Sequence, residues 1–281
     1  MISFKILNNI SNEALYNAFL DAFSDYQVKM DLPFWKFQQM LQRRGYHREI
    51  SIGAFEGERL VGFVLNGFRN WNGNATAYDL GTGVIEEFRR QGITSDILLH
   101  IKKLLKEKQV EKYLLEVIKS NQSAVQLYKK QGFEIQRELS CFQLDKDKFI
   151  SKTTCKVECV ERIELEQLKE FWDFKPSWQN SIASIHTMPE AFIYYVVRFD
   201  NIIVGYGIVD KNTGDIPQIA VNKDYRGNGI ASSIMTEIVK STESNKICVL
   251  NVESHLKPIE DFLTKLGFIY HVGQYEMLLK L

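Results

Sequence analysis

Four cysteines and five histidines are all that this 281-residue chain offers to a metal or redox centre. Cys141, Cys155, Cys159 and Cys248 form no CxxC pair, and His47, His100, His186, His255 and His271 fall at no HExxH or other ligand spacing. No metal site is read from them. Cysteines spaced like this read as reduced structural thiols of a cytoplasmic protein. No stretch approaches the roughly 20 apolar residues of a spanning helix. The opening Met1-Ile2-Ser3-Phe4-Lys5 lacks the charged-then-apolar pattern of a secretory leader. Neither sign of charge is in excess, with 35 basic and 35 acidic residues, so nothing invokes nucleic acid or an anionic membrane as partner. The GKS/T of a nucleotide-binding loop and the GxGxxG of a dinucleotide fold are missing too.

What is present is an internal repeat. Residues 51–67 (SIGAFEGERLVGFVLNG) and 194–210 (YYVVRFDNIIVGYGIVD) both read as antiparallel hairpins, with polar turns at Glu56-Gly57 and Asp200-Asn201. Each second strand carries Val-Gly-aromatic: Val61-Gly62-Phe63 and Val204-Gly205-Tyr206. Next come 84–94 (VIEEFRRQGIT) and 221–231 (VNKDYRGNGIA), each opening a helix. Ile97, Leu98, Ile101, Leu104 and Leu105 follow the first at helical spacing, and Ile230, Ile234, Ile238 and Val239 follow the second. Gln131-Gly132-Phe133 and Leu266-Gly267-Phe268 close the copies. Landmarks in one order at nearly one offset indicate duplication. The polar stretch 145–154 divides the copies, giving domains at 1–146 and 154–281. Helices are expected at 12–24, 33–43 and 164–174. Strands mixed with helices predict an α/β or α+β fold.

Arg89-Arg90-Gln91-Gly92-Ile93-Thr94 joins a strand to an amphipathic helix. Backbone amides at a helix N-terminus bind anions, so this loop reads either as a pyrophosphate cradle with two arginines at hand or as a plain helix entry. Arg226-Gly227-Asn228-Gly229-Ile230-Ala231, with two glycines, offers closer backbone access and is the second candidate loop. In NQSAVQLYKKQGF, residues 121–133, Asn121 or Ser123 caps a helix, Ala124, Leu127 and Tyr128 share a face, and Gly132 stops it. On these grounds alone Tyr128 is either a functional hydroxyl or a core residue.

These segments resemble the Gcn5-related N-acetyltransferase (GNAT) superfamily. The resemblance rests on the RxxGx(small) loops at 89–94 and 226–231 and on N-x-x-A-x-x-L-Y-x-x-x-G-F at 121–133, and it covers most of both halves. It implies two tandem acyl-CoA N-acyltransferase domains, each a mixed, largely antiparallel sheet flanked by helices. It further implies acetyl-CoA or CoA as cofactor, held at the phosphates by Arg89, Arg90, Gln91, Gly92, Ile93, Thr94 and Ser95. Val84, Asn121 and Ala124 then hold the pantetheine arm, and Tyr128 is the general acid. The acceptor expected is an amine of a small molecule or peptide. Asp79 and Glu116 are candidate bases, either of which also reads as a strand-end carboxylate.

The copies are unequal. Thr94 stands where the family prefers Gly or Ala. In the second copy Leu256 and Leu263 replace the Asn and the Tyr. The first domain is therefore read as catalytic and the second as degenerate, with a CoA-binding sensor or a scaffold without turnover as the rivals. Two aromatic-rich stretches, Tyr26 to Phe37 with Phe34 and Trp35, and Phe171 to Trp178 followed by Gln179 and Asn180, are candidates for the acceptor pocket or for helix packing.

Overall fold

The computed structural model describes residues 1–25 and 32–281. The first repeat runs β1 (Ile2–Ile6), α1 (Asn12–Ala22), α2 (Phe34–Arg44), β2 (Ile52–Glu56), β3 (Arg59–Trp71), β4 (Asn74–Val84), α3 (Ile93–Glu107), β5 (Lys112–Ile118), α4 (Gln122–Lys130) and β6 (Glu134–Asp145). The second runs β7 (Glu158–Val160), α5 (Ile182–His186), β8 (Phe192–Phe199), β9 (Ile202–Asp210), β10 (Gln218–Val221), α6 (Ile230–Ser241), β11 (Lys246–Glu253), α7 (Lys257–Lys265) and β12 (Ile269–Lys280). The expected helix at 164–174 is instead a 3-10 segment, Leu165–Phe171. Its buried residues, Leu165, Leu168 and Phe171, recur every three residues, the period of that tighter winding.

The chain folds as two compact units, Met1–Gln136 with Tyr275–Leu281, and Arg137–Gln274. A single cut in the polar stretch at 145–154 does not separate them, because each unit takes closing residues from the other repeat. In the first unit the order is β1-β2-β3-β4-β5 with the end of β12 beside β5. There the Leu281 amide donates to the Glu111 carbonyl at 2.9 Å. In the second unit β6 pairs antiparallel with β11, from Lys246↔Asp145 to Glu253↔Leu139, and a four-stranded sheet runs β10-β9-β8-β7. β4 and β5 pair in parallel, whereas β1–β2, β2–β3, β3–β4 and β7 to β10 pair antiparallel.

The glycine of the Val-Gly-aromatic motif and the isoleucine of the Gly-Ile motif turn out to form one contact. A side chain at Gly62 would meet Ile93 Cγ2 at 3.1 Å, and one at Gly205 would meet Ile230 Cγ2 at 2.6 Å. A bare backbone in the second hairpin strand lets the first helical residue press onto the sheet, which sets how closely the helix start approaches the strand. Ile97, Leu98, Ile101 and Leu105 on α3, and Ile234, Ile238 and Val239 on α6, bury the same helix faces. The motif aromatics take the other face: Phe63 stacks on Phe19 with centroids 5.7 Å apart, and the Tyr206 hydroxyl accepts from Trp172 Nε1 at 2.7 Å.

Since the first unit holds Tyr275–Leu281, deletion of those seven residues should destabilise it while sparing the second unit's core. Hydrogen exchange of β4, β5 and α4 is expected to rise well above that of β8 and β9. Equal protection in all five elements would show that this strand adds nothing to the first unit.

Candidate active site

Parallel pairing of β4 with β5 runs from Thr76↔Lys112 to Asp79↔Leu115 and stops, although both strands continue, to Val84 and Ile118. Beyond that point β4 keeps β3 as its neighbour and its other edge carries no strand. The divergence opens a slot of about 610 Å³. Thr82, Gly83 and Val84 line it from β4, Gly92 to Ser95 from the start of α3, and Asn121, Ala124, Leu127 and Tyr128 from the α4 side.

At the mouth, Gly92 caps α3 with φ 82° and Arg90 takes φ 62°, so the chain turns through two left-handed residues into the helix. The amides of Ile93, Thr94 and Ser95 have no acceptor among the described residues, whereas the next, Asp96, bonds the Gly92 carbonyl at 3.1 Å. Three amides and the positive end of a 15-residue helix therefore face the slot, a fit for the phosphates of CoA. Gln91 and Arg90 are exposed beside them.

Arg89 has a different task from the one its sequence position suggests. Its Nε donates to Val84 O at 3.0 Å, Nη2 donates to Ala22 O at 3.0 Å, and the guanidinium grips the Asp25 carboxylate at 2.5 and 2.7 Å. That pairing lowers the Asp25 pKa and raises that of Arg89. Arg226 repeats the pattern with Val221 O at 3.1 Å, Phe171 O at 3.1 Å and Asp173 Oδ1 at 2.8 Å. The arginine ties the loop to the end of its strand and to the chain before the hairpin. Its presence in both copies, including the copy that lacks the Tyr, was the available signal for a structural role. Arg90 is left to bring mobile charge to the mouth.

Asn121 is the N-cap of α4: its Oδ1 accepts from the Ala124 amide at 3.2 Å and from Ser123 Oγ at 2.9 Å. Its carbonyl oxygen is thus committed to the helix while the residue lines the slot. Tyr128 is buried and its ring sits edge-on to Phe133, with centroids 5.6 Å apart. The Tyr128 hydroxyl donates to Asp79 Oδ2 at 3.2 Å. A β-bulge makes this reach available. Leu65 pairs with Gly81 and Asn66 with Asp79, so Leu80 is the extra residue. The bulge lets the Asp79 carboxylate fold back to accept the Gly81 amide at 3.0 Å and the Thr82 hydroxyl at 2.6 Å. Burial nevertheless pushes the Asp79 carboxyl up to about 6, against the lowering effect of those donors and of the Arg44 charge.

Glu116 is not brought into this group. The register puts it on the same side of the sheet as Leu114 and Tyr78, and Asp79 on the side of Leu115. Its partner is Tyr78, whose hydroxyl is pushed up in pKa by burial first and by the Glu116 charge second. Phe34 packs edge-on against Tyr16 at 5.1 Å and Trp35 is exposed, both outside the slot lining. Tyr26 lies outside the described residues. Trp178 is fully buried, and Gln179 and Asn180 are 5% and 4% exposed, so this stretch is interior rather than an open pocket. Asn180 Nδ2 donates to Leu250 O at 2.7 Å, and Asn180 alone of the three touches the second unit's slot.

Family patterns match both repeats: the acetyltransferase (GNAT) family over residues 12–133, and the acetyltransferase (GNAT) domain over 190–270. The chain belongs to the GNAT acetyltransferases. Its fold is similar to that of a GCN5-related N-acetyltransferase from Sphaerobacter thermophilus, at 13% identity and TM-score 0.73, covering 99% of this chain and 95% of that one. It is equally similar to a tandem GNAT protein from the clavulanic acid biosynthesis pathway, at 13% identity and TM-score 0.73, covering 100% and 98%. No curated protein matches the sequence. GNAT acetyltransferases bind acetyl-CoA or CoA and act on amine acceptors. No described helix is long and apolar enough to cross a membrane.

The second GNAT repeat has a slot of about 490 Å³, lined by Ile216, Ile219, Gly227, Gly229, Ile230, Ala231 and Leu263 among others. By strand register from the Val84/Val221 landmark, Ile219 occupies the place of Thr82 and, with Leu80 the extra residue, Pro217 that of Asp79. Leu256 caps α7 with φ −83° and ψ 72°, close to the −79° and 70° of Asn121, but offers no side-chain bond. Leu263, at the place of Tyr128, is fully buried. The backbone of the site persists and its polar set is gone. Nor is Gly229 bare for a phosphate: a side chain there would lie 2.3 Å from Thr154 Oγ1.

The Asp79 carboxyl titrates near 6 in the fold against an ordinary 3.8, so the fold favours its protonated form. Its ionisation destabilises the protein as pH rises from about 4 to about 6, and fully above that. Asp79→Asn should therefore stabilise the chain at pH 7.5 by up to about 3 kcal/mol, with the advantage vanishing towards pH 4. Denaturant midpoints at the two pH values check this, and a pH-independent difference would contradict it.

Proposed function

We propose that the first domain transfers acetyl from acetyl-CoA directly to a primary amine of a small molecule or peptide, with Tyr128 as the general acid. One observation carries the reading: a buried tyrosine hydroxyl in the slot, held on a carboxylate that burial has brought close to neutral pH. Acetyl-CoA supplies the activated acetyl group. The amides of Ile93, Thr94 and Ser95, with Gly92, Gln91 and Arg90 around them, take the phosphates, and Arg89 holds that loop in shape. The open edge of β4 up to Val84, with Asn121 and Ala124 opposite, takes the pantetheine arm. The Thr94 side chain, half-buried at the slot, is small enough to leave the amides open.

Tyr128 holds the proton destined for the departing sulfur. Asp79 lies behind it, 7% exposed and outside the slot lining, so it serves as the proton store that replenishes Tyr128. A carboxyl near 6 accepts a proton from the acceptor ammonium through that hydroxyl far more readily than one near 4. Glu116, turned to Tyr78, has no part in the transfer. No covalent enzyme intermediate is needed.

The second slot is read as non-transferring. Its loop, Arg226 to Ala231, keeps the arginine tie and the helix N-terminus, but Pro217, Leu256 and Leu263 provide no proton donor or acceptor. Sensing, rather than turnover, is the role left to it if it binds CoA.

Two measurements test the assignment. Acetyl-CoA should raise the melting temperature, and thiol release with a panel of primary amines should reveal turnover. Absence of any thermal shift would sink the reading. Tyr128→Phe is expected to lower turnover at least ~10-fold while the acetyl-CoA shift persists. Unchanged turnover would remove Tyr128 from the reaction.

A further inference from the structure

Two hydroxyls converge on one carboxylate oxygen in the first domain. Thr82 Oγ1 donates to Asp79 Oδ2 at 2.6 Å and the Tyr128 hydroxyl donates to the same atom at 3.2 Å, while Oδ1 is held by the Gly81 amide. Thr82 is thus the shortest contact to Asp79, and unlike Asp79 it lines the slot. Its neighbours in the strand explain its reach: the extra residue Leu80 brings Thr82 round beside the carboxylate three residues before it. Arg44 Nη1 clamps that bulge by donating to Leu80 O at 3.1 Å.

The second repeat supplies an independent observation. The places of Asp79, Thr82 and Tyr128 are taken there by Pro217, Ile219 and Leu263, all apolar and all lining the corresponding slot. The three polar side chains are present as a set in one copy and absent as a set in the other.

We propose that Thr82 is a positioning residue for the proton transfer: its hydroxyl, the shortest donor to the carboxylate, fixes Asp79 Oδ2 under Tyr128. The titratable and charged groups around Asp79 are Tyr128 from α4, Tyr113 from β5 and Arg44 from α2, with Tyr78, on the other face of β4, within reach of its charge. Arg44 is the only cation among them, and the tyrosines carry no charge near neutrality. In a site this buried, each donor to the carboxylate offsets part of the cost of keeping a charge away from water. Removing the shortest one leaves Gly81, Tyr128 and the Arg44 charge to hold the anion. The carboxyl then keeps its proton to higher pH, and Tyr128 loses its acceptor over that range.

The inference rests on the acetyl-transfer reading for its functional meaning, but its first test needs no substrate. The Asp79 carboxyl is followed by carbon-13 NMR in protein labelled at aspartate, with Asp79→Asn identifying the signal. Thr82→Val should raise the midpoint by about one pH unit, and Thr82→Ser should restore it. With an amine from the panel as acceptor, the acid limb of kcat should move up with the midpoint. Turnover by Thr82→Val is then roughly fivefold below the parent's at pH 6, and the gap narrows by pH 8.5. KM for acetyl-CoA should change little. An unmoved Asp79 midpoint in Thr82→Val, or a loss equal at both pH values that Thr82→Ser does not repair, overturns the proposal. Should Thr82→Val not fold, Thr82→Ala carries the same expectations. If Tyr128→Phe keeps full turnover while the Thr82→Val midpoint still shifts, it is the acetyl-transfer mechanism that fails and not the Thr82–Asp79 coupling.

Discussion

Everything in the first domain depends on β4 and β5 ceasing to pair after Asp79 and Leu115. A parallel pair that ran on to Val84 would satisfy its own backbone groups and leave no slot. By parting, the strands expose the edge of β4, and α3 and α4 begin on either side of the gap. The loop amides, the Asn121 cap and the Tyr128 hydroxyl all reach one space because their elements start from the diverging strands. The bulge at Leu80 falls at the point of divergence, so the irregularity that bends β4 away also turns Asp79 towards Tyr128.

The acidity of this site is a contest between burial and hydrogen bonding. Burial favours the neutral carboxyl; Gly81, Thr82, Tyr128 and Arg44 favour the charged one. Neither wins outright, and a carboxyl near 6 results. A wholly solvated aspartate would be a poor proton acceptor at neutral pH, and a wholly unsupported buried one would never ionise. The second domain has resolved the contest by removing the participants: Pro217, Ile219 and Leu263 stand where the first domain has Asp79, Thr82 and Tyr128.

Much of this architecture was legible in the sequence. The apolar spacing of Ile97, Leu98, Ile101 and Leu105 marks a helix face, and Gly132 and Gly267, with φ 94° and 97°, do stop their helices. Other features were not legible, for physical reasons. A bulge leaves no mark in a strand's residue types, so the contact of Asp79 with Tyr128 and Thr82 needed coordinates. The charge on Arg89 suggests phosphate, but the Val84 and Ala22 carbonyls and the Asp25 carboxylate engage all three of its guanidinium nitrogens, and only the fold brings them together. The stretch from Trp178 to Asn180 breaks helical periodicity because it is a buried 3-10 turn satisfied by backbone partners, not because it lines an open pocket.

The exchange of closing strands is equally silent in the pattern, since 134–145 and 269–280 are both long β-rich segments that fit either sheet. It bears on how the protein is made. Residues 275–281 leave the ribosome after the whole of the second unit, so the first unit, although encoded first, has no final strand until then. Until then the edge of β5 lacks the neighbour it has in the folded chain, and a chain ended before residue 275 would carry the tyrosine without that neighbour.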